Sequence, residues 1–276
     1  MLCGSSLKAA VFAAAAWSGV RGISARSRAV ARTNELDAGE RQPIIGGGEE
    51  VLGGVGGVRG RWRPRVARLA EAALGPVTGL RVLDAACGPG FYAQQLLAQG
   101  AKVTAFDASA VMVSLARQQT AGRAQIDLAV LGGPLPYPDA VFDLIVCALA
   151  IHYASDRAAA FAEFFRVLHP GGALVVSTQH PTADWLRKGG SYFEVKLETD
   201  IWRVPSGDQP VRFWREPLSA LCAAATGAGF LIEKVIEPLP ADSMRELFPE
   251  DHDKLSTEPG FLILRMARPD VGTSVT

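Results

Sequence analysis

The run Val82-Leu83-Asp84-Ala85-Ala86-Cys87-Gly88-Pro89-Gly90 carries an acid out of an apolar stretch into a glycine turn, and a second acid, Asp107, follows the next apolar stretch. Glycine lets a backbone pass close to a ligand. A carboxylate accepts charge-assisted hydrogen bonds from hydroxyl or ammonium donors, each contributing about 1.5 to 3 kcal/mol. Gly88, Gly90 and Ala93 also satisfy the relaxed dinucleotide fingerprint, with Asp107 at a tolerable distance, so a nicotinamide cofactor is one reading. Two features weigh against it: Asp84 beside the turn repels a pyrophosphate, and Pro89 lacks a backbone N–H that a phosphate nest uses. A tight turn without a ligand is the plain alternative. Farther along, His152, Tyr153 and His180 can take or give a proton, and a histidine titrates near neutrality. Each histidine can equally be a satisfied structural residue, the preferred reading for His180. Asp143 opens a strand rather than closing one, which suits a turn or capping role.

The surrounding pattern alternates short apolar strands with amphipathic helices. Strands are expected at Leu80 to Ala86, Lys102 to Phe106, Gln125 to Leu131, Phe142 to Leu149 and Ala173 to Thr178. Helices are expected at Arg65 to Leu74, Phe91 to Gln99, Ala110 to Gln119 and Arg157 to Leu168, with Gly100 as a stop and Ser109 as an N-cap. Such alternation implies right-handed crossovers and a parallel sheet covered on both faces. Ligands then lie beyond the carboxyl ends of the strands. Asp84 to Gly90, Asp107, Leu131 to Pro134, Leu149 to Tyr153 and Ser177 to Pro181 all sit at predicted strand exits. A helix at Pro217 to Ala228 and strands near Phe230 to Ile236 and Phe261 to Ala267 complete the pattern. Glu237 to Gly260 reads as a surface excursion with one short helix.

These motifs resemble the class I S-adenosylmethionine-dependent methyltransferases. Pro134-Leu135-Pro136-Tyr137-Pro138-Asp139-Ala140-Val141-Phe142-Asp143 is similar to that family's lead into its fourth strand. Arg166-Val167-Leu168-His169-Pro170-Gly171-Gly172 resembles its turn into the fifth, and Ala228-Gly229-Phe230 its entry to the sixth. The likeness covers roughly residues 64 to 268 and is nearest to the type 11 small-molecule enzymes. It implies a Rossmann-like doubly wound α/β fold with a seven-stranded sheet, mostly parallel with one antiparallel strand and helices on both faces. It implies S-adenosyl-L-methionine as cofactor, with Asp84, Ala86, Cys87, Gly88 and Gly90 around the methionine part, Asp107 on the ribose hydroxyls, and Ala108, Met112, Leu131, Gly132 and Leu149 beside them. His152, Tyr153 and His180 become the candidate catalytic residues. Many relatives bear an acid after the third strand for the adenine amino group. Here Val130-Leu131-Gly132-Gly133 stands there, leaving adenine to backbone atoms and apolar packing. The tyrosine- and aspartate-containing helix that closes over the cofactor in relatives has no clear counterpart before Pro64.

After His180 comes an aromatic stretch, Trp185, Tyr192, Phe193, Trp202, Phe213 and Trp214, expected as a substrate-covering insertion over 180–216; ordinary core packing is the alternative for any single ring. Residues 1–60 read as a disordered or targeting segment ending in a glycine-rich linker, ahead of a methyltransferase domain over 61–270. Arg59, Arg61, Arg63, Arg65 and Arg68 form a basic cluster, read as a solvated helix entrance rather than an RNA contact. Lys plus Arg and Asp plus Glu each number 28, for a formal net charge of zero. That offers no field to draw in a phosphate backbone, so no nucleic-acid partner is expected. The 4 cysteines lack a CxxC pair and the 4 histidines lack ligand spacing, so free thiols, a cytoplasmic location and no metal are expected. No apolar run suffices to span a bilayer. The expected partner is a small-molecule substrate, and the expected state a monomer or homodimer.

Overall fold

The computed structural model describes residues 73–204 and 207–270. The proposed N-terminal segment and linker, the arginine cluster and most of the Arg65 to Leu74 helix lie outside the described residues; Ala73 and Leu74 are helical.

Seven strands form one sheet in the order β3-β2-β1-β4-β5-β9-β8. They are β1 (Arg81–Ala85), β2 (Lys102–Asp107), β3 (Gln125–Leu128), β4 (Phe142–Ala148), β5 (Leu168–Gln179), β8 (Leu231–Ile236) and β9 (Phe261–Ala267). The first five run parallel, and β9 pairs antiparallel with both β5 and β8. The helices are α1 (Phe91–Ala98), α2 (Ala110–Gln119), α3 (Arg157–Val167), α4 (Pro181–Lys188), α5 (Leu218–Gly227), α6 (Ser243–Leu247) and α7 (Pro249–Thr257). This is the expected doubly wound α/β sheet. None of the described helices is long and apolar enough to cross a membrane.

Successive side chains on a strand point to opposite faces, so the central strands feed two cores. Leu83, Ile145, Cys147, Leu174 and Val176 join Phe161 and Phe164 of α3 and Leu221 of α5 on one face. Val82, Leu144, Val146 and Val175 join Phe91 and Leu96 of α1 on the other. That two-faced burial explains why these strands read as continuous apolar runs. α2 begins as expected, with Ser109 Oγ accepting the Met112 N–H. α1 ends at Gly100, whose N–H donates to the Leu97 carbonyl. Asp143 accepts the Arg81 N–H and pairs with its guanidinium at 2.6 Å, tying the starts of β4 and β1.

Several boundaries differ from expectation. β3 stops at Leu128, because the chain turns at Val130 to Gly133, where the Gly133 N–H donates to the Val130 carbonyl. β5 starts early at Leu168, and His169 to Gly172 bulge out between its pairings with Phe142 and Leu144. Glu237 to Gly260 holds two helices rather than one. Their polar sequence hides a buried side carrying Met244, His252 and Leu255. The aromatic insertion contains a two-stranded antiparallel sheet of its own, β6 (Lys196–Val204) and β7 (Gly207–Arg215).

Candidate active site

The carboxyl ends of β1 and β2 bring the two acids together. Ala85 lies in register with Phe106, so Asp84 and Asp107 stand one residue to either side of that pair on adjacent strands. Asp84 is 1 % exposed, and its Oδ2 has no hydrogen-bond partner. Burial pushes its pKa up to about 7, offset in part by the Ala93 N–H and reinforced by the charge of Asp107. Burial also raises Asp107, opposed by the N–H groups of Ser109, Gly88 and Ala108. Asp107 Oδ2 accepts the Gly88 N–H at 2.8 Å, and its Oδ1 accepts the Ser109 N–H at 2.9 Å. Each oxygen has a second lone-pair direction for a further donor.

The turn between the acids is held from several sides. Ala86 adopts a left-handed φ of 53°, a conformation that costs a non-glycine residue about 1 kcal/mol or more. Cys87 donates its N–H to the Phe106 carbonyl, and its Sγ lies 3.4 Å from the Gly88 carbonyl. Burial holds that thiol well above its usual range. The two glycines differ. A Cβ on Gly88 would meet nothing within 4 Å, so its open side is available to a ligand. A Cβ on Gly90 would come within 2.9 Å of the Ala116 Cα, so helix packing alone demands glycine there. Sequence reasoning gave both glycines one motive; the close approach of α2 supplies a different one for Gly90.

The remaining candidates gather at neighbouring strand exits. Ala108 sits just past β2, and Met112 is buried in the first turn of α2. Leu131 is buried in the core. Gly132 has φ 91°, and a Cβ there would lie 2.9 Å from the Asp156 carbonyl oxygen, again a packing demand. Leu149 has φ 52°, and its N–H is shared between the Ser177 carbonyl at 2.9 Å and Ser177 Oγ at 3.1 Å. Ser177 was named only as a strand exit, and its grip on Leu149 depends on β4–β5 pairing.

Ile151–Tyr153 form a short 3-10 turn after β4. His152 is buried, with Nδ1 3.0 Å from Thr178 Oγ1, and its ring lies 4.2 Å from that of Tyr153. Phe213 of β7 meets the His152 ring edge to face at 6.4 Å. Burial holds the Tyr153 phenol far above its usual range, and the charges of Asp200 and Asp184 push the same way. Thr178 was likewise named only within a strand exit, because its contact with His152 depends on how adjacent strands pair. His180 stands apart: its Nδ1 accepts the Thr182 N–H as the N-cap of α4, and its Nε2 lies 2.9 Å from Glu237. Those contacts give it a structural job. A separate cavity of about 530 Å³ opens at the opposite strand ends beside Asp143 and Arg265, away from all these residues.

The family model described as a methyltransferase domain, type 11, matches residues 83–176. The chain is 37% identical over 151 residues to the malonyl-[acyl-carrier protein] O-methyltransferase of Serratia marcescens, covering 53% of each chain. It is 38% identical over 153 residues to the demethylmenaquinone methyltransferase of Deinococcus radiodurans, covering 54% of this chain and 61% of that one. It thus spans about half to three fifths of the length of these curated relatives. Among solved structures, an S-adenosylmethionine-dependent methyltransferase from Mesorhizobium loti superposes with a TM-score of 0.58 at 27% identity, covering 73% of this chain and 96% of that one. In strand order, in the glycine turn between two acids and in these likenesses the chain is similar to S-adenosylmethionine-dependent methyltransferases, and its residues 83–176 match the methyltransferase domain model.

Proposed function

We propose that this protein transfers a methyl group from S-adenosyl-L-methionine to a small-molecule acceptor. The observation that carries this reading is the buried, unpartnered Oδ2 of Asp84 near the end of β1, followed by a turn in which Gly88 is open, with Asp107 at the end of the adjacent strand. A buried carboxylate oxygen left without a donor is costly, and a cationic, phosphate-free nucleoside relieves that cost where a dinucleotide would not. Asp84 would face the amino group and Asp107 the ribose hydroxyls, with Leu131, Gly132 and Leu149 supplying backbone and apolar contacts. When bound, S-adenosylmethionine supplies a methyl group already activated on a sulfonium.

The chain's own residues then have modest tasks. They align the acceptor, exclude water and receive a proton where the acceptor loses one. His152 is assigned the proton, with Thr178 setting the orientation of its ring and Tyr153 as a neutral hydroxyl donor beside it. The two curated relatives are named for different acceptors, a malonyl group on acyl-carrier protein and demethylmenaquinone, so their names alone do not choose one for this chain.

Thermal unfolding with S-adenosylhomocysteine and with NADH tests the reading. Ligand at 100 times its dissociation constant stabilises a native site by about 2.7 kcal/mol. Stabilisation by S-adenosylhomocysteine alone is expected; stabilisation by NADH alone defeats the proposal in favour of a reductase. Cofactor binding with no methyl uptake by any metabolite defeats it in favour of an inactive binding protein.

A further inference from the structure

Four cationic side chains cluster around the 152–153 turn and the hairpin packed against it. Arg187 bridges Asp200 at 2.7 Å and Asp184 at 2.9 Å. Lys188 lies 2.7 Å from the same Asp200 and donates to the Thr199 carbonyl. Arg215 is 2 % exposed and pairs with Glu198 at 3.2 Å and Glu194 at 3.5 Å. Arg157 pairs with Glu216 at 2.5 Å, both largely buried. The cluster reaches the candidate catalytic turn through Phe213. Arg187 and Lys188 lie over the ring of Phe213, at 5.7 and 5.9 Å, and Phe213 abuts His152.

Resting on the methyltransferase reading, we propose that this site selects an acceptor that is uncharged where it takes the methyl group, such as a phenol, an enol or a ring carbon, over a carboxylate. A carboxylate entering a dry site loses its hydration and needs a cation in return. Each of these four cations already holds a carboxylate of its own. Among the described residues of this cluster, an incoming acid must therefore break an existing pair and leave a carboxylate without its cation, while Asp184 and Asp200 repel it. An uncharged oxygen faces neither penalty and can accept from the protonated Tyr153 hydroxyl. For a hydroxyl acceptor, an oxygen lone pair forms the bond to the methyl carbon and the carbon–sulfur pair stays on sulfur. The hydroxyl proton passes to His152 or water, and S-adenosylhomocysteine is left.

The test incubates the full chain with methyl-labelled S-adenosylmethionine and a deproteinised bacterial metabolite extract, then treats the products with mild alkali. Methyl esters of carboxylates release the label as volatile methanol, whereas ethers and carbon-bound methyl groups keep it. Label that resists alkali by about ten to one or better is expected, from the selectivity a buried charge mismatch imposes. Label lost mainly as methanol overturns the proposal, whereas an absence of label while S-adenosylhomocysteine still stabilises the protein strikes the methyltransferase reading on which it rests. Failure of S-adenosylhomocysteine to stabilise strikes that reading too. In Asp200→Asn, which removes one anion shared by Arg187 and Lys188, the alkali-labile share rises severalfold. An unchanged share in a folded Asp200→Asn protein also overturns the proposal, and Glu198→Gln, acting on Arg215, gives the same reading if Asp200→Asn does not fold.

Discussion

Asp107 fastens the glycine turn to β2: its Oδ2 accepts the Gly88 N–H at 2.8 Å, while its Oδ1 accepts the Ser109 N–H at 2.9 Å. One carboxylate thus shapes the loop that approaches the proposed cofactor, caps the approach to α2 and remains able to receive ribose hydroxyls. Asp107→Ala leaves both N–H groups without this acceptor, each at a cost of about 1 to 3 kcal/mol where water cannot enter. The expected outcome is a lowered melting temperature and no further stabilisation by S-adenosylhomocysteine. Undiminished cofactor binding by a folded Asp107→Ala protein removes the ribose assignment.

If Asp84 holds the cofactor's amino group as proposed, cofactor binding should depend on pH. The Asp84 pKa is pushed up to about 7, well above the usual carboxylate range, because burial disfavours the charge. Folding stability therefore falls as pH rises from about 4, where the unfolded carboxyl ionises, to about 7, and levels off once the folded carboxyl ionises too. A cationic cofactor favours the ionised form and lowers that pKa. Affinity for S-adenosylmethionine should rise between pH 6 and 8, approximately (a window set by the shift), with proton release on binding. Calorimetry in two buffers of different ionisation enthalpy measures the release. A flat affinity across that window with no proton release contradicts it.

Gly88 and Gly90 should fail in different ways when each is changed to alanine. Gly90→Ala drives a Cβ to 2.9 Å from the Ala116 Cα at a backbone φ of 86°, so a loss of about 2 to 3 kcal/mol in folding stability is expected. Gly88→Ala meets open space at φ 55°, and its stability cost should stay near ~1 kcal/mol. Its larger effect should be on cofactor affinity, because the methyl enters the proposed cofactor side. Denaturant melts and titration with S-adenosylhomocysteine separate the two, and equal stability losses would refute the distinction.

His152→Ala should bind S-adenosylhomocysteine as the parent does and lose about 100-fold or more in turnover, the usual contribution of a positioned acid or base. Thr178→Val, which keeps the volume near the ring but removes its 3.0 Å partner, should lower turnover with a shifted pH profile, while Thr178→Ser restores the parent profile. Unaltered turnover in His152→Ala returns that residue to a purely structural role.

The order of strands and helices was written locally in the chain. Apolar runs such as Leu144-Ile145-Val146 serve two cores at once, Ser109 and Gly100 punctuate helices by side-chain chemistry and conformational freedom, and the glycines of Cys87 to Gly90 mark the turn after β1 without reference to distant residues. The tertiary structure alone decided which partner each of these residues meets. Gly90 answers to Ala116, His152 to Thr178 and Phe213, and His180 to Thr182 and Glu237. The β6–β7 hairpin was legible only as a cluster of aromatic residues, since its polar strands carry no clean apolar alternation, and the pairing of Arg187, Lys188 and Arg215 with acids appears only once α4 and the hairpin pack. Periodicity along a chain fixes the face an element must bury. Contacts between residues far apart in sequence depend on how the faces meet, and those contacts determine which charges are already spoken for at the site.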